Sequence, residues 1–185
     1  NIGDSNFYNG WSVSVSKAPF NNNIYIISGE PNYTESVQLG RANVYSVDIS
    51  ASGTLNCENR YSINNPQQGQ IVGRFGSSVS SNYDSVNNSI NFVIANSSTS
   101  DMATENAVYN FTTSTSGDKP TQDMKWSGSP YLQQNYGFGY RIASTTVNDL
   151  AISSPSDELV NSVGQVQIFN NRMQLSFYAR GSTLI

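Results

Sequence analysis

Polar and hydrophobic residues alternate with a period of two in several short segments of the chain. The clearest are residues 12–16, 165–168 and 173–177, in which Val, Ile, Met, Leu or Phe stands at every second position. Because successive side chains of a strand point to opposite faces of its sheet, this pattern predicts half-buried β-strands. Residues 24–27 and 90–94 are more continuously apolar, which is typical of strands inside a sheet. Clusters of Asn, Gly, Pro and Ser separate the segments and predict turns, and no segment has a long helical period.

These segments recur three times along the chain as an ordered set. Each set opens at a glycine, namely Gly10, Gly76 and Gly139, which are 66 and 63 residues apart. An apolar run with a small residue or Pro follows, and the strand that ends each set carries an aromatic residue, namely Tyr45, Tyr109 and Phe169. A repeat of this length with several short strands per unit is typical of a radial array of β-sheets such as a propeller.

The repeat also predicts how neighbouring units pack. A four-stranded sheet cannot bury both of its faces alone, so each unit needs neighbours. The opening glycine lets backbones approach closely, and the Val or Ile three residues later (Val13, Val79 or Ile142) is expected to pack between neighbouring sheets. A β-sandwich also has alternating strands and stays as the alternative fold. We expect a single β domain over residues 1–185, with approximate blades at 7–65, 66–130 and 131–185.

The third set resembles a known repeat most clearly. Its matching segments are residues 138–139, 149–155 and 164–169, which read Phe-Gly, Asp-Leu-Ala-Ile-Ser-Ser-Pro and Gly-Gln-Val-Gln-Ile-Phe. They resemble an FG-GAP repeat, the blade unit of integrin α-subunit heads and of related surface proteins and lectins. The other two sets match through shorter segments, at residues 75–76, 95–97, 10 and 29–31. The resemblance implies about three β-propeller blades of four antiparallel strands each.

The resemblance also implies a binding face made of loops. These are the loops after the second strand of each blade and between blades, at residues 30–40, 67–74, 96–105, 128–137 and 154–164. The candidate ligand-binding residues in them are Tyr33, Glu35, Asp101, Tyr131, Gln134 and Asp157. Trp126, Tyr131 and Tyr136 cluster among amides, as in a sugar or peptide site, although packing between blades is the favoured interpretation.

Many FG-GAP blades bind calcium in a loop between their first two strands, and this sequence departs from that pattern. The corresponding segment 17–23 has no carboxylate, and segments 82–88 and 145–149 have one each, Asp84 and Asp149. Because calcium takes six to eight oxygen ligands and usually several carboxylates, calcium binding is expected to be weak or absent. Asp84 and Asp149 are instead expected to fix turns.

The composition excludes several kinds of chemistry. Of 185 residues, 65 are Asn, Ser or Thr, 12% are charged, and none is His, which rules out Ser-His and Cys-His catalysis. The net charge of -4 argues against nucleic acid. The lone Cys57 has no partner for an internal disulfide, and we expect a structural or free thiol. The carboxylate pairs Glu30 with Glu35 and Asp157 with Glu158 are expected to be solvated rather than to act as acid and base.

Together these observations predict a non-catalytic binding or adhesion module, secreted or on the cell surface, that recognises a glycan or a protein through loops. The alternative is a structural subunit of a larger surface or secretion assembly with no small ligand, and hydrolysis is a third hypothesis. We expect no cofactor, no catalytic residues and no membrane span. Because propellers typically have about four to eight blades, three blades predict a homo-oligomer or a part of a longer chain.

Overall fold

Twelve β-strands and no helix are present in the part of the chain that the structure, a computed structural model, describes. That part comprises residues 9–19, 23–35, 38–50, 52–67, 74–97, 106–114, 118–127, 137–145, 149–154, 165–170 and 173–180. The strands are β1 (Ser12–Lys17), β2 (Ile24–Glu35), β3 (Gln38–Ile49), β4 (Leu55–Asn64), β5 (Phe75–Asp84), β6 (Ser89–Asn96), β7 (Ala107–Ser114), β8 (Thr121–Ser127), β9 (Arg141–Ser144), β10 (Asp149–Ser154), β11 (Gln165–Asn170) and β12 (Met173–Arg180). The prediction of an all-β protein is confirmed.

The strands form three consecutive antiparallel meanders, in which each strand pairs with the next one along the chain. We call them sheet 1 (β1–β4), sheet 2 (β5–β8) and sheet 3 (β9–β12). A single parallel pair, Gly40 with Phe75, joins β3 of sheet 1 to β5 of sheet 2. Nearly all pairing is therefore local in sequence, as short hairpin connections require.

Sheet 2 lies between the other two sheets and is buried on both faces. One hydrophobic core joins it to sheet 1 and contains Ile27, Val44 and Phe92. A second core joins it to sheet 3 and contains Val93 and Ile152. Phe92 and Val93 are adjacent in β6, so the alternation of the strand sends one side chain into each core. The mostly apolar run at residues 90–94 is explained by this position between two layers.

Serine hydroxyls connect the first strands of the three sheets. Ser81 of β5 lies between two serines of β1: its Oγ is 3.0 Å from Ser14 Oγ and accepts a hydrogen bond from Ser16 Oγ at 2.8 Å. On its other face β5 places Ser80 Oγ 2.7 Å from Ser144 Oγ of β9. The polar positions of the alternating pattern therefore lie between sheets, where small hydroxyl side chains let the strands approach.

The alternating segment of β1 forms a strand as predicted, but its buried face is the polar one. Val13 and Val15 are 56% and 58% exposed, and the expectation that Val13 packs between sheets is wrong. The equivalent Val79 and Ile142 do pack into the two cores. The physical reason is that Val13 lies on the outer face of sheet 1, opposite to sheet 2, where no described sheet packs.

Close backbone approach explains two of the glycines. A Cβ on Gly29 would lie 1.9 Å from the carbonyl oxygen of Gly76, and a Cβ on Gly76 would lie 2.5 Å from the carbonyl oxygen of Arg41. Sheets 1 and 2 therefore touch through their backbones at this point, and only glycine fits.

Candidate functional site

A small cleft lies where the first strands of the three sheets begin. We call it the aromatic–arginine cleft, and its lining residues are Trp11, Arg74, Ser77, Ser97, Tyr140 and Arg141. Its volume is about 80 Å³. Trp11, Ser77 and Tyr140 each follow one of the glycines that open the three repeats, so each sheet contributes the same position to one cleft.

A shared backbone feature places these side chains. Gly10, Gly76 and Gly139 all have positive φ angles, of 90°, 92° and 85°. In sheet 1 the backbone N–H groups of Gly10 and Trp11 both donate to the carbonyl of Gly29, each at 3.2 Å. In sheet 3 those of Gly139 and Tyr140 both donate to the carbonyl of Ser153, at 3.1 and 3.2 Å.

Two residues facing one carbonyl, the first of them a glycine with positive φ, form a glycine β-bulge. In sheet 2 the pairing register likewise shifts between Phe75 and Ser78. The glycines of the bulges in sheets 1 and 3 directly precede Trp11 and Tyr140, so both of these lining residues follow a local break in the regular pairing.

The cleft combines aromatic faces with positive charge. Trp11 and Tyr140 are 53% and 43% exposed, which is high for large hydrophobic side chains. The Arg141 guanidinium lies 4.7 Å from the centre of the Tyr140 ring, and its Nη1 donates to the Tyr140 carbonyl at 3.0 Å. At the floor, the buried Ser97 hydroxyl has no hydrogen-bond partner among the described residues.

A second, larger concavity has a wholly polar lining. This polar groove has a volume of about 330 Å³ and is lined by Asp84, Asn87, Ser89, Asn91, Thr112, Thr121, Gln122 and Asp123. Asn91 precedes Val93 by two residues in β6, so the groove lies on the face of sheet 2 that carries the core with sheet 3. Asn91 Oδ1 accepts hydrogen bonds from Thr112 Oγ1 at 2.9 Å and from Asn110 Nδ2 at 3.3 Å.

Asp84 ends β5 and holds the turn that leads to β6. Its Oδ1 accepts from the backbone N–H groups of Val86 and Asn87 at 2.9 and 3.2 Å, and its Oδ2 accepts from Asn87 Nδ2 at 2.6 Å. Burial alone would raise the pKa of Asp84, but these hydrogen bonds stabilise the carboxylate and the net pKa is lowered. The expectation that Asp84 fixes a turn is confirmed.

The carboxylates of the two segments that were expected to fix turns, Asp84 and Asp149, both accept hydrogen bonds. Among the residues of 82–88, all of which the structure describes, the only carboxylate is Asp84, and both of its oxygens already accept hydrogen bonds. Asp149 likewise accepts from Asn170 Nδ2 at 2.5 Å, a contact that ties β10 to β11. Among the described residues no group of three or more Cys, Asp and Glu side chains is placed to hold a metal ion.

Glu30 forms an ion pair with Arg41, and the ring of Tyr33 lies against the guanidinium group. Glu30 is fully buried, and its Oε2 accepts from Arg41 Nε at 2.5 Å and from Asn43 Nδ2 at 3.2 Å. The Arg41 guanidinium carbon lies 3.6 Å from the centre of the Tyr33 ring. Glu35 lies in β2 opposite Gln38, and its side chain is not part of what the structure describes. Glu30 therefore balances the charge of Arg41, and the expectation that it is solvated is wrong because it is buried against this partner. The ring of Tyr33 covers the pair.

The remaining predicted site residues, Asp101, Tyr131, Gln134 and Asp157, lie outside the described residues, as do Tyr136 and Glu158. Trp126 is described, and its ring lies 6.1 Å from that of Phe169 at the core between sheets 2 and 3. The favoured packing interpretation is confirmed for Trp126. Cys57 is exposed and forms no disulfide within the described residues.

Sequence reasoning did not select the residues of the aromatic–arginine cleft. A signal was present, because Trp11, Ser77 and Tyr140 follow the three repeat glycines. Arg74 and Ser97 lie in the loops 67–74 and 96–105 that were predicted to form the binding face, but neither was among the candidate ligand-binding residues.

No protein-family model matches the chain, and no curated protein matches it either. In the described part of the chain no helix is long and apolar enough to cross a membrane. The function is therefore inferred from the cleft and from the stacking of the sheets.

Proposed function

We propose that this chain is a non-catalytic binding module, secreted or on the cell surface, that recognises a glycan or a protein at the aromatic–arginine cleft. The observation that carries the proposal is the meeting of three repeat-equivalent residues, Trp11, Ser77 and Tyr140, beside Arg74 and Arg141. Exposed aromatic rings and guanidinium groups are the side chains most enriched in recognition sites.

The proposal takes the three sheets to be propeller blades of the FG-GAP type. Three features support blades over a β-sandwich. Each sheet is a four-stranded meander, the first strands of successive sheets lie side by side, and the middle sheet is covered on both faces. A two-sheet sandwich has no layer packed on both faces, whereas every blade of a propeller is such a layer.

Binding rather than catalysis is supported by the chemistry of the lining. The chain has no His, and the described lining of the cleft contains no carboxylate or thiol that could act as a base or a nucleophile. Glu30, a candidate acid or base, is committed to Arg41 and Asn43.

The proposal is tested with a glycan array and a panel of extracellular-matrix proteins. Each is probed with the wild-type chain and with the variants Trp11→Ala and Tyr140→Ala. We expect saturable binding to at least one probe and a loss of about tenfold or more in affinity for either variant. Val86→Ala, which removes an exposed apolar side chain from the β5–β6 turn, is the matched control and should bind as wild type. Binding that both cleft variants leave unchanged, or silence on both panels, overturns the proposal.

A structural subunit is the second candidate function, and one observation favours it. Trp11, Val13 and Val15 form an exposed apolar strip on the outer face of sheet 1. Apolar strips of this kind are typical of surfaces that another sheet or subunit covers. In this role the chain is one part of a larger surface assembly and binds no small ligand.

A further inference from the structure

We propose that the aromatic–arginine cleft binds the carboxylate of an acidic sugar, with the carboxylate between Arg74 and Arg141 and the sugar ring against Trp11 and Tyr140. This inference rests on the proposed binding function and names its ligand class. It stands on the charge of the cleft, an unsatisfied hydroxyl and the size of the cavity.

The charge of the cleft is opposite to that of the chain. The net charge of the chain is -4, yet the described lining of the cleft has two arginines and no acidic residue. Elsewhere, Arg41 pairs with Glu30 and Arg60 pairs with Glu58. Arg74 and Arg141 form no ion pair with a described residue. Two guanidinium groups without a counter-ion favour an anion, and their planar donors match a carboxylate.

The floor of the cleft supplies a second donor group. Ser97 is 5% exposed and lines the cleft, and its hydroxyl has no hydrogen-bond partner among the described residues. Buried polar groups in proteins are almost always hydrogen-bonded. A carboxylate oxygen that enters between the arginines would accept from this hydroxyl and satisfy it.

The size of the cleft decides how much of a ligand enters it. A volume of about 80 Å³ is well below the roughly 300–1,000 Å³ of pockets that enclose a whole small ligand. The cleft therefore admits a carboxylate and the carbon that carries it, and the rest of the ligand stays at the mouth. There the exposed rings of Trp11 and Tyr140 offer flat apolar surfaces, which suit the face of a sugar ring better than a flexible acidic side chain.

Calorimetric titration with three soluble probes tests the ligand class. Glucuronate carries the carboxylate on a sugar ring, glucose is the same ring without it, and a tetraglutamate peptide carries carboxylates without a ring. We expect saturable binding of glucuronate, at least tenfold weaker binding of glucose and of the peptide, and an affinity for glucuronate that falls as salt rises from 50 to 500 mM. Equal affinity for glucuronate and glucose overturns the inference, and so does tighter binding of the peptide.

Substitutions of the lining residues test whether glucuronate binds in the aromatic–arginine cleft. Arg74→Gln and Arg141→Gln should each lower the affinity for glucuronate about tenfold or more, and Ser97→Ala should lower it several-fold. Arg60→Gln is the matched control, because it removes an exposed arginine of sheet 1 that does not line the cleft. It should leave the affinity for glucuronate unchanged. Arg74 and Arg141 are exposed, so these variants should fold, and circular dichroism checks that they do.

The outcomes separate this inference from the proposed function. Binding of a neutral glycan or a protein that depends on Trp11 but not on either arginine overturns the carboxylate inference and leaves the binding function in place. Absence of any binding overturns both.

Discussion

Gly10 and Gly76 have the same backbone conformation but very different surroundings. Both stand at the glycine bulge that opens a first strand, with φ angles of 90° and 92°. Nothing lies within 4 Å of a Cβ built on Gly10, whereas one on Gly76 meets the Arg41 carbonyl oxygen at 2.5 Å and the Glu30 nitrogen at 2.9 Å. Substitutions at these two glycines therefore separate the free-energy cost of the positive φ angle from the cost of the close backbone contact.

We expect Gly10→Ala to lower the free energy of unfolding by about 1–2 kcal/mol, because an L-residue at positive φ is strained. Gly76→Ala should lower it by at least about 3 kcal/mol, since the overpacking penalty of the backbone contact adds to the same strain. Urea denaturation measures both. Equal losses in the two variants would show that sheets 1 and 2 are not in backbone contact at Gly76.

The stability that Asp84 contributes should depend on pH. Its pKa in the folded chain is lowered, so the ionised side chain stabilises the fold fully above the ordinary Asp pKa of about 4. That contribution is lost as the pH falls through the lowered pKa of the folded state. We expect Asp84→Asn to lower the free energy of unfolding at pH 7 by about 1 kcal/mol or more.

The difference between wild type and Asp84→Asn should shrink as the pH is lowered below about 4. Asp48→Asn, which removes an exposed carboxylate of β3, is the matched control. Urea titrations at several pH values measure the difference, and a constant gap between wild type and Asp84→Asn from pH 7 to pH 3 contradicts the prediction.

At the residue scale, the sequence predicted what depends on near neighbours. A single carboxylate followed by Asn residues predicts a turn, and Asp84 forms one. Exposure depends on what packs on a face from far along the chain, so the pattern could not show that Val13 is exposed while the equivalent Val79 is buried. The double hydrogen bond of each bulge, which places Trp11 and Tyr140, also has no local signature beyond the glycine.

At the element scale, the first strands of neighbouring sheets contact each other through serine hydroxyls, whereas the other strands of these sheets pack through apolar side chains. Ser80 of β5 and Ser144 of β9 have their oxygens 2.7 Å apart, and the backbone N–H of Ser144 also donates to Ser80 Oγ at 3.2 Å. Asn82 Nδ2 donates to Ser144 Oγ at 3.0 Å. These groups form a connected polar network between sheets 2 and 3, so the removal of one leaves others unsatisfied.

Ser80→Ala and Ser144→Ala should each lower the free energy of unfolding by about 1–2 kcal/mol, because a buried partner loses its hydrogen bond. The double variant should cost less than the sum of the two, with a coupling of at least about 0.5 kcal/mol. Ser52→Ala in the exposed β3–β4 turn is the control for loss of a hydroxyl. Strict additivity of Ser80→Ala and Ser144→Ala would show that the two side chains do not interact.

The alternating pattern predicted where several strands lie but not which face of them is buried. In β1 the serines face sheet 2 and the valines face outward, the reverse of what hydropathy alone indicates. The mostly apolar run of β6 was more informative, because it is typical of a strand covered on both faces, although the equally buried β5 is rich in serine.

At the scale of the whole molecule, the described residues cover sheet 1 on one face only. Sheet 1 packs on sheet 2 with one face and exposes Trp11, Val13 and Val15 on the other. A contiguous apolar strip on an otherwise polar chain favours association. The homo-oligomer that is one of the two expectations from the sequence would cover it.

We expect the mass measured by light scattering to exceed 20.2 kDa and to rise with concentration. The double substitution Val13→Lys and Val15→Lys should return it to that of one chain, because charges on the strip oppose its burial. Val86→Lys, which changes a more exposed valine on the β5–β6 turn, should leave association unchanged. A mass of one chain for the wild type at all concentrations contradicts the prediction.

The position of sheet 2 between two cores also predicts the order in which the sheets unfold. Strands β5, β6 and β7 are buried along almost their whole length, whereas β4 and β8 are mostly exposed. Because pairing is local within each meander, the sheets can open as separate units, and the middle one opens only after a neighbour has left. Amide hydrogens of β5–β7 should therefore exchange with deuterium most slowly, and a measured gradient of protection from the middle sheet outward would give the order in which the layers come apart.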